Sequence, residues 1–177
     1  MCGICGILAP EVRRKELEAM TEVQHHRGPD DRGVALLEGD TVGLGHNRLS
    51  IIDLSQAGHQ PMSNAGGGLT IVFNGEVYNY RELKQELSGY PFRGDSDTEV
   101  VLAAYERWGE NCLERFVGMF AFAIWDAEKR HLFCARDRLG VKPFHYAQLA
   151  GRFLFASEVK ALLAAGVPAA PDGESWG

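Results

Sequence analysis

The amino-acid sequence predicts an α+β fold in which two stacked sheets lie between helical layers. Three observations carry this. The run Ile4 to Ala9 and the run Met119 to Trp125 are almost wholly apolar, the mark of strands covered on both faces. Helical patterns with capping signals occupy the first two thirds of the chain, whereas the last third is rich in short strands. At 177 residues the chain is long enough for one domain with a sizeable core, and no internal repeat divides it.

Each element follows from local pattern. The strand Ile4–Ala9 ends at Pro10. Leu17, Met20 and Val23 share one side among charges, which predicts a helix over Arg13–His25. Residues 26–33, with Gly28, Pro29, Asp30 and Asp31, have loop composition. Val34–Leu37 and Val42–Leu44 form a hairpin about Glu38-Gly39-Asp40, and residues 55–68 form a loop. Leu69–Phe73 is a β-branched strand ending at Asn74-Gly75-Glu76. Asn-Gly ordinarily makes a hairpin turn. Here the chain instead enters a helix, with Asn79 as cap, Glu82 three residues on and Gly89 as stop. Asn74-Gly75 is therefore expected at a strand end, where an amide and main-chain N–H groups are on offer, suitable material for an oxyanion hole.

A second capping box, Ser96-Asp97-Thr98-Glu99, opens a helix with the stripe Val101, Leu102, Tyr105 and Trp108, closed by Gly109. Strands follow at Met119–Trp125, Leu132–Arg136, Pro143–Leu149 and Arg152–Ala156, the last two about Ala150-Gly151. A helix over Ser157–Ala165 closes the fold. The domain is expected to span residues 1–165, with residues 166–177 as a linker or end segment.

Composition narrows the function classes. The net charge of −6 argues against nucleic acid and anionic membrane as partners. The longest apolar run is too short to span a bilayer, and the first basic residue is Arg13, so the N-terminus is no secretory signal. Four cysteines without a disulfide pattern point to the cytoplasm.

Cys2 is one cleavage from being the first residue. Without Met1 it would carry a thiol and a free α-amine on one carbon, a nucleophile with its own base. An α-amine titrates at about 7.7–8.0, near working pH. The alternatives are a buried apolar Cys, or a metal or redox role for Cys2-x-x-Cys5. No second close pair or His set at ligand spacing supports a metal site, and an extended run is not the strand-to-helix junction of a redox dithiol. Arg48, beside Leu49, Ile51 and Ile52, needs a carboxylate, either an internal Asp or that of a ligand. Asp97, in a first helical turn, complements the helix dipole by default.

In combination and in order, the motifs resemble the glutamine amidotransferase domain of the N-terminal-nucleophile type, as in glutamine-hydrolysing asparagine synthetase. They are Met-Cys-Gly-Ile at 1–4, Arg-Gly-Pro-Asp-Asp at 27–31, Gly-His-Asn-Arg-Leu-Ser-Ile-Ile-Asp at 45–53, Gly-His-Gln-Pro-Met at 58–62, Phe-Asn-Gly-Glu at 73–76, Ser-Asp-Thr-Glu at 96–99, Gly-Met-Phe-Ala-Phe-Ala at 118–123 and Ala-Arg-Asp-Arg-Leu-Gly-Val-Lys-Pro at 135–143. The resemblance covers residues 1–163.

The resemblance implies a four-layer αββα sandwich and a glutaminase. Cys2 would be the nucleophile, with Asn74 and Gly75 as the oxyanion hole. Arg48 would hold the α-carboxylate of glutamine, Glu76 and Asp97 its α-ammonium, and the main chain of Leu49, Ser50, Ile51 and Ile52 would line the pocket. It implies no metal or other cofactor in this domain. ATP and Mg2+ are expected only with a synthetase domain, in cis or in trans, that makes asparagine from aspartate. The Ser-Gly-Gly-x-Asp-Ser pyrophosphate loop of that domain does not occur, so this chain alone is not expected to make asparagine. A homodimer is left open. The alternatives are the glutaminase domain of another amidotransferase, such as glucosamine phosphate synthase, or a non-catalytic glutamine-binding or docking domain if Met1 is retained. Asn47 and His145 stand where relatives often have other residues, and neither is expected to touch the chemistry.

Overall fold

The computed structural model describes residues 1–50 and 56–170. Its elements, in chain order, are β1 (Gly3–Leu8), α1 (Arg14–Glu22), β2 (Asp31–Leu37), β3 (Val42–Arg48), β4 (Met62–Ser63), β5 (Leu69–Val77), α2 (Tyr80–Glu86), α3 (Asp97–Trp108), β6 (Gly118–Asp126), β7 (His131–Arg136), β8 (His145–Leu149), β9 (Arg152–Ala156) and α4 (Val159–Ala164). Three short 3-10 turns, at 25–27, 56–58 and 109–115, complete it.

Two antiparallel sheets form, with strand orders β2-β3-β1-β9-β8 and β4-β5-β6-β7. Alternation along the strands sorts the side chains into three apolar layers. Cys5 and Ile7 of β1 face α1 and α4, packing on Leu17, Met20 and Leu162. Ile4, Val42, Leu44, Val72, Ala121, Ala123 and Phe155 fill the space between the sheets. Ile71, Phe73, Phe120, Phe122 and Ile124 face α2 and α3, meeting Leu83, Val101 and Leu102. The order is helix, sheet, sheet, helix, the αββα sandwich expected. β6 is covered on both faces, as its composition requires.

Four local expectations are corrected. β5 does not stop at Phe73 but pairs with β6 as far as Val77 opposite Gly118, so Asn74-Gly75 lies inside a strand. The reason is close approach: a Cβ on Gly75 would lie 2.5 Å from the Met119 carbonyl oxygen, and one on Gly118 would strike that of Glu76. Glycine at both positions lets the strands run on. The loop expected over 26–33 gives way to β2 from Asp31, where Asp31 pairs with Arg48. Helix α1 ends at Glu22, short of His25, where the chain enters the first 3-10 turn. Asn79 does not cap α2 with its side chain; it bridges to the segment leading into β6, donating to Arg115 O (2.9 Å) and accepting from Val117 N (3.0 Å). Ser96 does cap α3, its Oγ accepting from Glu99 N at 3.2 Å, and Gly109 closes that helix at φ 60°. The end segment from residue 171 lies outside the described residues.

Candidate active site

Cys2 immediately precedes β1, and Arg48 ends the neighbouring β3. Gly3 is opposite Asn47, so pairing of β1 with β3 sets Cys2 and Arg48 side by side. The main chain turns over the thiol just beyond β3. Leu49 N donates to Cys2 Sγ at 3.4 Å, and the thiol lies 3.8 Å from Leu49 O. Burial pushes the thiol pKa up, while the Leu49 N–H, the α-ammonium of Met1 and Arg48 pull it down. The thiol of Cys5, by contrast, is buried in the layer against the helices, so the two cysteines of the C-x-x-C do not share a site.

The second sheet supplies an open strand edge. Strand β4 is two residues long and pairs only with Thr70 and Ile71. Beyond it, alternate N–H groups of β5 point away from β6. Phe73 N donates to Gln60 Oε1 at 2.7 Å, and Val77 N donates to Asp97 Oδ2 at 3.0 Å. The N–H of Gly75, midway between them, shares their direction and faces the cavity that Gly75 lines. Beside it the Asn74 side chain is buried, and its Nδ2 has no hydrogen-bond partner among the described residues. A buried amide donor left unpaired is costly and calls for an acceptor. Two donors thus converge where Cys2 comes over from the first sheet.

His46 fixes this edge from above. Its Nε2 lies 3.1 Å from Phe73 O, and because a carbonyl only accepts, Nε2 carries the proton. Burial lowers its pKa to about 4, so it is neutral at pH 7. The bond joins β3 to β5 across the two sheets.

The first turn of α3 brings Asp97. Its carboxyl is raised to about 6, chiefly by burial and further by Glu76, against the opposing N–H groups of Val77 and Thr98. Glu76 also lines the cavity.

Cys2, the open edge of β5 and the start of α3 border one cavity of about 100 Å3. Of the expected residues, Cys2, Arg48, Leu49, Asn74, Gly75, Glu76 and Asp97 line it. Ser50 does not; its N–H binds Asp30 Oδ2 at 2.8 Å instead. Ile51 and Ile52 lie outside the described residues. The structure adds Met1, Gly58, Gln60, Thr98, Met119 and Lys142. Gly58 lies flat against the Arg48 guanidinium, which any Cβ there would strike. Lys142 enters from the β6–β7 side, its N–H held by Asp137 Oδ2 at 3.0 Å and its carbonyl by Arg136 Nε at 2.6 Å. Gln60 and Lys142 sit in two of the motifs quoted above, which was the available signal; their roles depend on pairing that sequence does not show. The cavity therefore presents a thiol, two converging N–H donors, one guanidinium and two carboxylates. That set suits an amphoteric amino acid with a carboxamide or ester at its far end.

Comparison with known proteins shows the family. The chain is 44% identical over 182 residues to a putative asparagine synthetase [glutamine-hydrolyzing] 2 of Methanocaldococcus jannaschii, covering 93% of this chain and 35% of that one. It is 45% identical over 172 residues to asparagine synthetase [glutamine-hydrolyzing] 3 of Bacillus subtilis, covering 93% and 28%. The chain thus spans about a third of these relatives. Among solved structures, glutamine phosphoribosylpyrophosphate amidotransferase from B. subtilis superposes with a TM-score of 0.82 at 23% identity, over 93% of this chain and 44% of that one. That likeness speaks for the fold. The family match itself runs over residues 1–175, from before Cys2 to beyond α4, and leaves no element of the sandwich outside it: the chain belongs to the glutamine amidotransferase domain family.

Proposed function

We propose that Cys2 hydrolyses glutamine to glutamate and ammonia once Met1 is removed. The observation that carries this is that Cys2 lines one cavity together with Gly75 and with Asn74, whose buried Nδ2 has no partner among the described residues. Arg48 binds the α-carboxylate, and Glu76 with Asp97 the α-ammonium. The thiolate attacks the side-chain carboxamide carbon, forming a C–S bond. Asn74 and Gly75 hold the oxyanion, each such donor contributing roughly 3–4 kcal/mol. The C–N bond then breaks, and the α-ammonium of Cys2 protonates the departing nitrogen. Water, giving its proton to the α-amine, cleaves the γ-glutamyl thioester and restores the thiol.

Met1 lines the cavity mouth, and its peptide bond occupies the Cys2 nitrogen. Its removal both frees the base and widens the cavity. We further propose that the ammonia serves an ATP-dependent synthetase domain that makes asparagine from aspartate, by the names of the relatives. ATP and Mg2+ would be held there, not by this domain. Among the described residues no helix is long and apolar enough to cross a membrane, and cytoplasm is the proposed compartment.

Intact mass and glutamate release on one sample test the reading. Turnover with Met1 lost, abolished by Cys2→Ala, is the expected result. Undiminished turnover in Cys2→Ala overturns it. Glutamine binding without turnover in protein lacking Met1 would favour a non-catalytic binding domain.

A further inference from the structure

Cys2 lies one residue outside β1, whose ladder begins at Gly3. Its carbonyl is held by a side chain: Arg27 Nε donates to Cys2 O at 2.9 Å. The same guanidinium is held by Glu158, from Nη1 to Oε1 at 3.1 Å. Glu158 is fixed in turn by Lys160 Nζ at 3.0 Å and His26 Nε2 at 2.9 Å. The preceding Ser157 grips β1 from its other side, its N–H donating to Ile4 O at 2.8 Å and its Oγ accepting from Ile4 N at 3.0 Å. Burial would raise the Glu158 carboxyl, but hydrogen bonds from Lys160, Arg27 and His26 bring it down to about 2. It is ionised at any working pH.

Removing Met1 makes Cys2 a chain end, and chain ends fray unless tied down. A terminal nucleophile that is its own base needs its main chain held at one angle, or the amine and the thiol lose their common target. Arg27 is nearly buried, and a guanidinium offers its N–H groups in a rigid fork. Fixing one arm of the fork on Glu158 aims the Nε–H at Cys2 O.

We propose that Glu158 is a positioning residue for Cys2, acting through Arg27. This rests on the reading of Cys2 as nucleophile. Neither Arg27 nor Glu158 lines the cavity, so both leave the glutamine contacts alone.

The test is steady-state glutaminase kinetics on processed protein carrying Glu158→Gln, Arg27→Lys, or both. Glu158→Gln lowers kcat by about tenfold or more and leaves KM within about twofold, since misplacing a reacting group costs rate rather than ground-state binding. The double variant is no slower than Arg27→Lys alone, because residues acting through one contact are not additive. Glu158→Asp, which keeps the charge, recovers part of kcat and carries the test if the glutamine variant does not fold. Wild-type kcat in Glu158→Gln, or full additivity in the double variant, overturns the proposal. Persistent turnover in Cys2→Ala would instead sink the nucleophile reading, so the two failures are told apart.

Discussion

Gln60 Oε1 accepts the Phe73 N–H at 2.7 Å, at the register position where a longer β4 would have placed a main-chain carbonyl. Its Nε2 reaches Thr98 Oγ1 at 3.2 Å, tying the edge of β5 to the start of α3. Gln60→Leu leaves a buried main-chain N–H and the Thr98 hydroxyl without this partner. We expect a loss of about 1–3 kcal/mol in urea unfolding, with a fall in kcat because Gly75 N–H loses its alignment. Unchanged stability would show that water takes over the role.

Asn74 tests the oxyanion assignment. Asn74→Ala removes the one unpaired amide donor that the described cavity contains. The expected loss is about 100- to 1000-fold in kcat with little change in KM. A rise in KM with kcat intact would make Asn74 a ground-state contact instead.

Asp97 trades stability for binding. Its carboxyl is raised to about 6 by burial, above its ordinary value of 3.8. The native state therefore holds more protons between those values, and this group's contribution to stability falls as pH rises from about 4 to 6. Asp97→Asn escapes that cost. We expect it to melt higher than the parent at pH 7.5, by a gain on the order of 2–3 kcal/mol, with the difference vanishing below about pH 4. Glutamine affinity should fall in the variant, and in the parent should weaken as pH drops through about 6. Equal melting of the two proteins at pH 7.5 would contradict this.

Gly58→Ala addresses Arg48 through the residue packed directly against it. The added methyl would overlap the guanidinium and displace it. KM for glutamine should rise about tenfold while kcat is largely kept, the pattern of lost uniform binding. An unaltered KM would mean that Arg48 does not hold substrate where the structure puts it.

Much of this was legible in the sequence, for physical reasons that differ by residue. The stacked sheets could be read because Met119–Trp125 is apolar at consecutive positions, the pattern of a strand covered on both faces. Cys2 and Asn74-Gly75 stood out by position, at the second residue and at the end of an apolar run, whereas Arg48, Glu76 and Asp97 were singled out by the family resemblance of the motifs that hold them; all of them line one cavity. The continuation of β5 through Asn74-Gly75 could not, since Asn and Gly are poor strand formers and the reason they extend here is the tight fit of Gly75 and Gly118 across two strands. Gln60 and Glu158 were equally hidden. Each acts on a main-chain atom far away in sequence, Phe73 and, through Arg27, Cys2, and such pairing leaves no local pattern.

The brevity of β4 has a consequence for how the site can change. The ladder with β5 stops at Met62, and at the next paired position Gln60 takes the Phe73 N–H with its side chain, so the edge that offers Gly75 N–H stays open. A main-chain donor survives any point substitution that leaves the strand in place. It is lost when pairing shifts. Insertions or deletions around residues 58–63, more than exchanges of individual side chains, are the sequence changes to which this chemistry is most vulnerable.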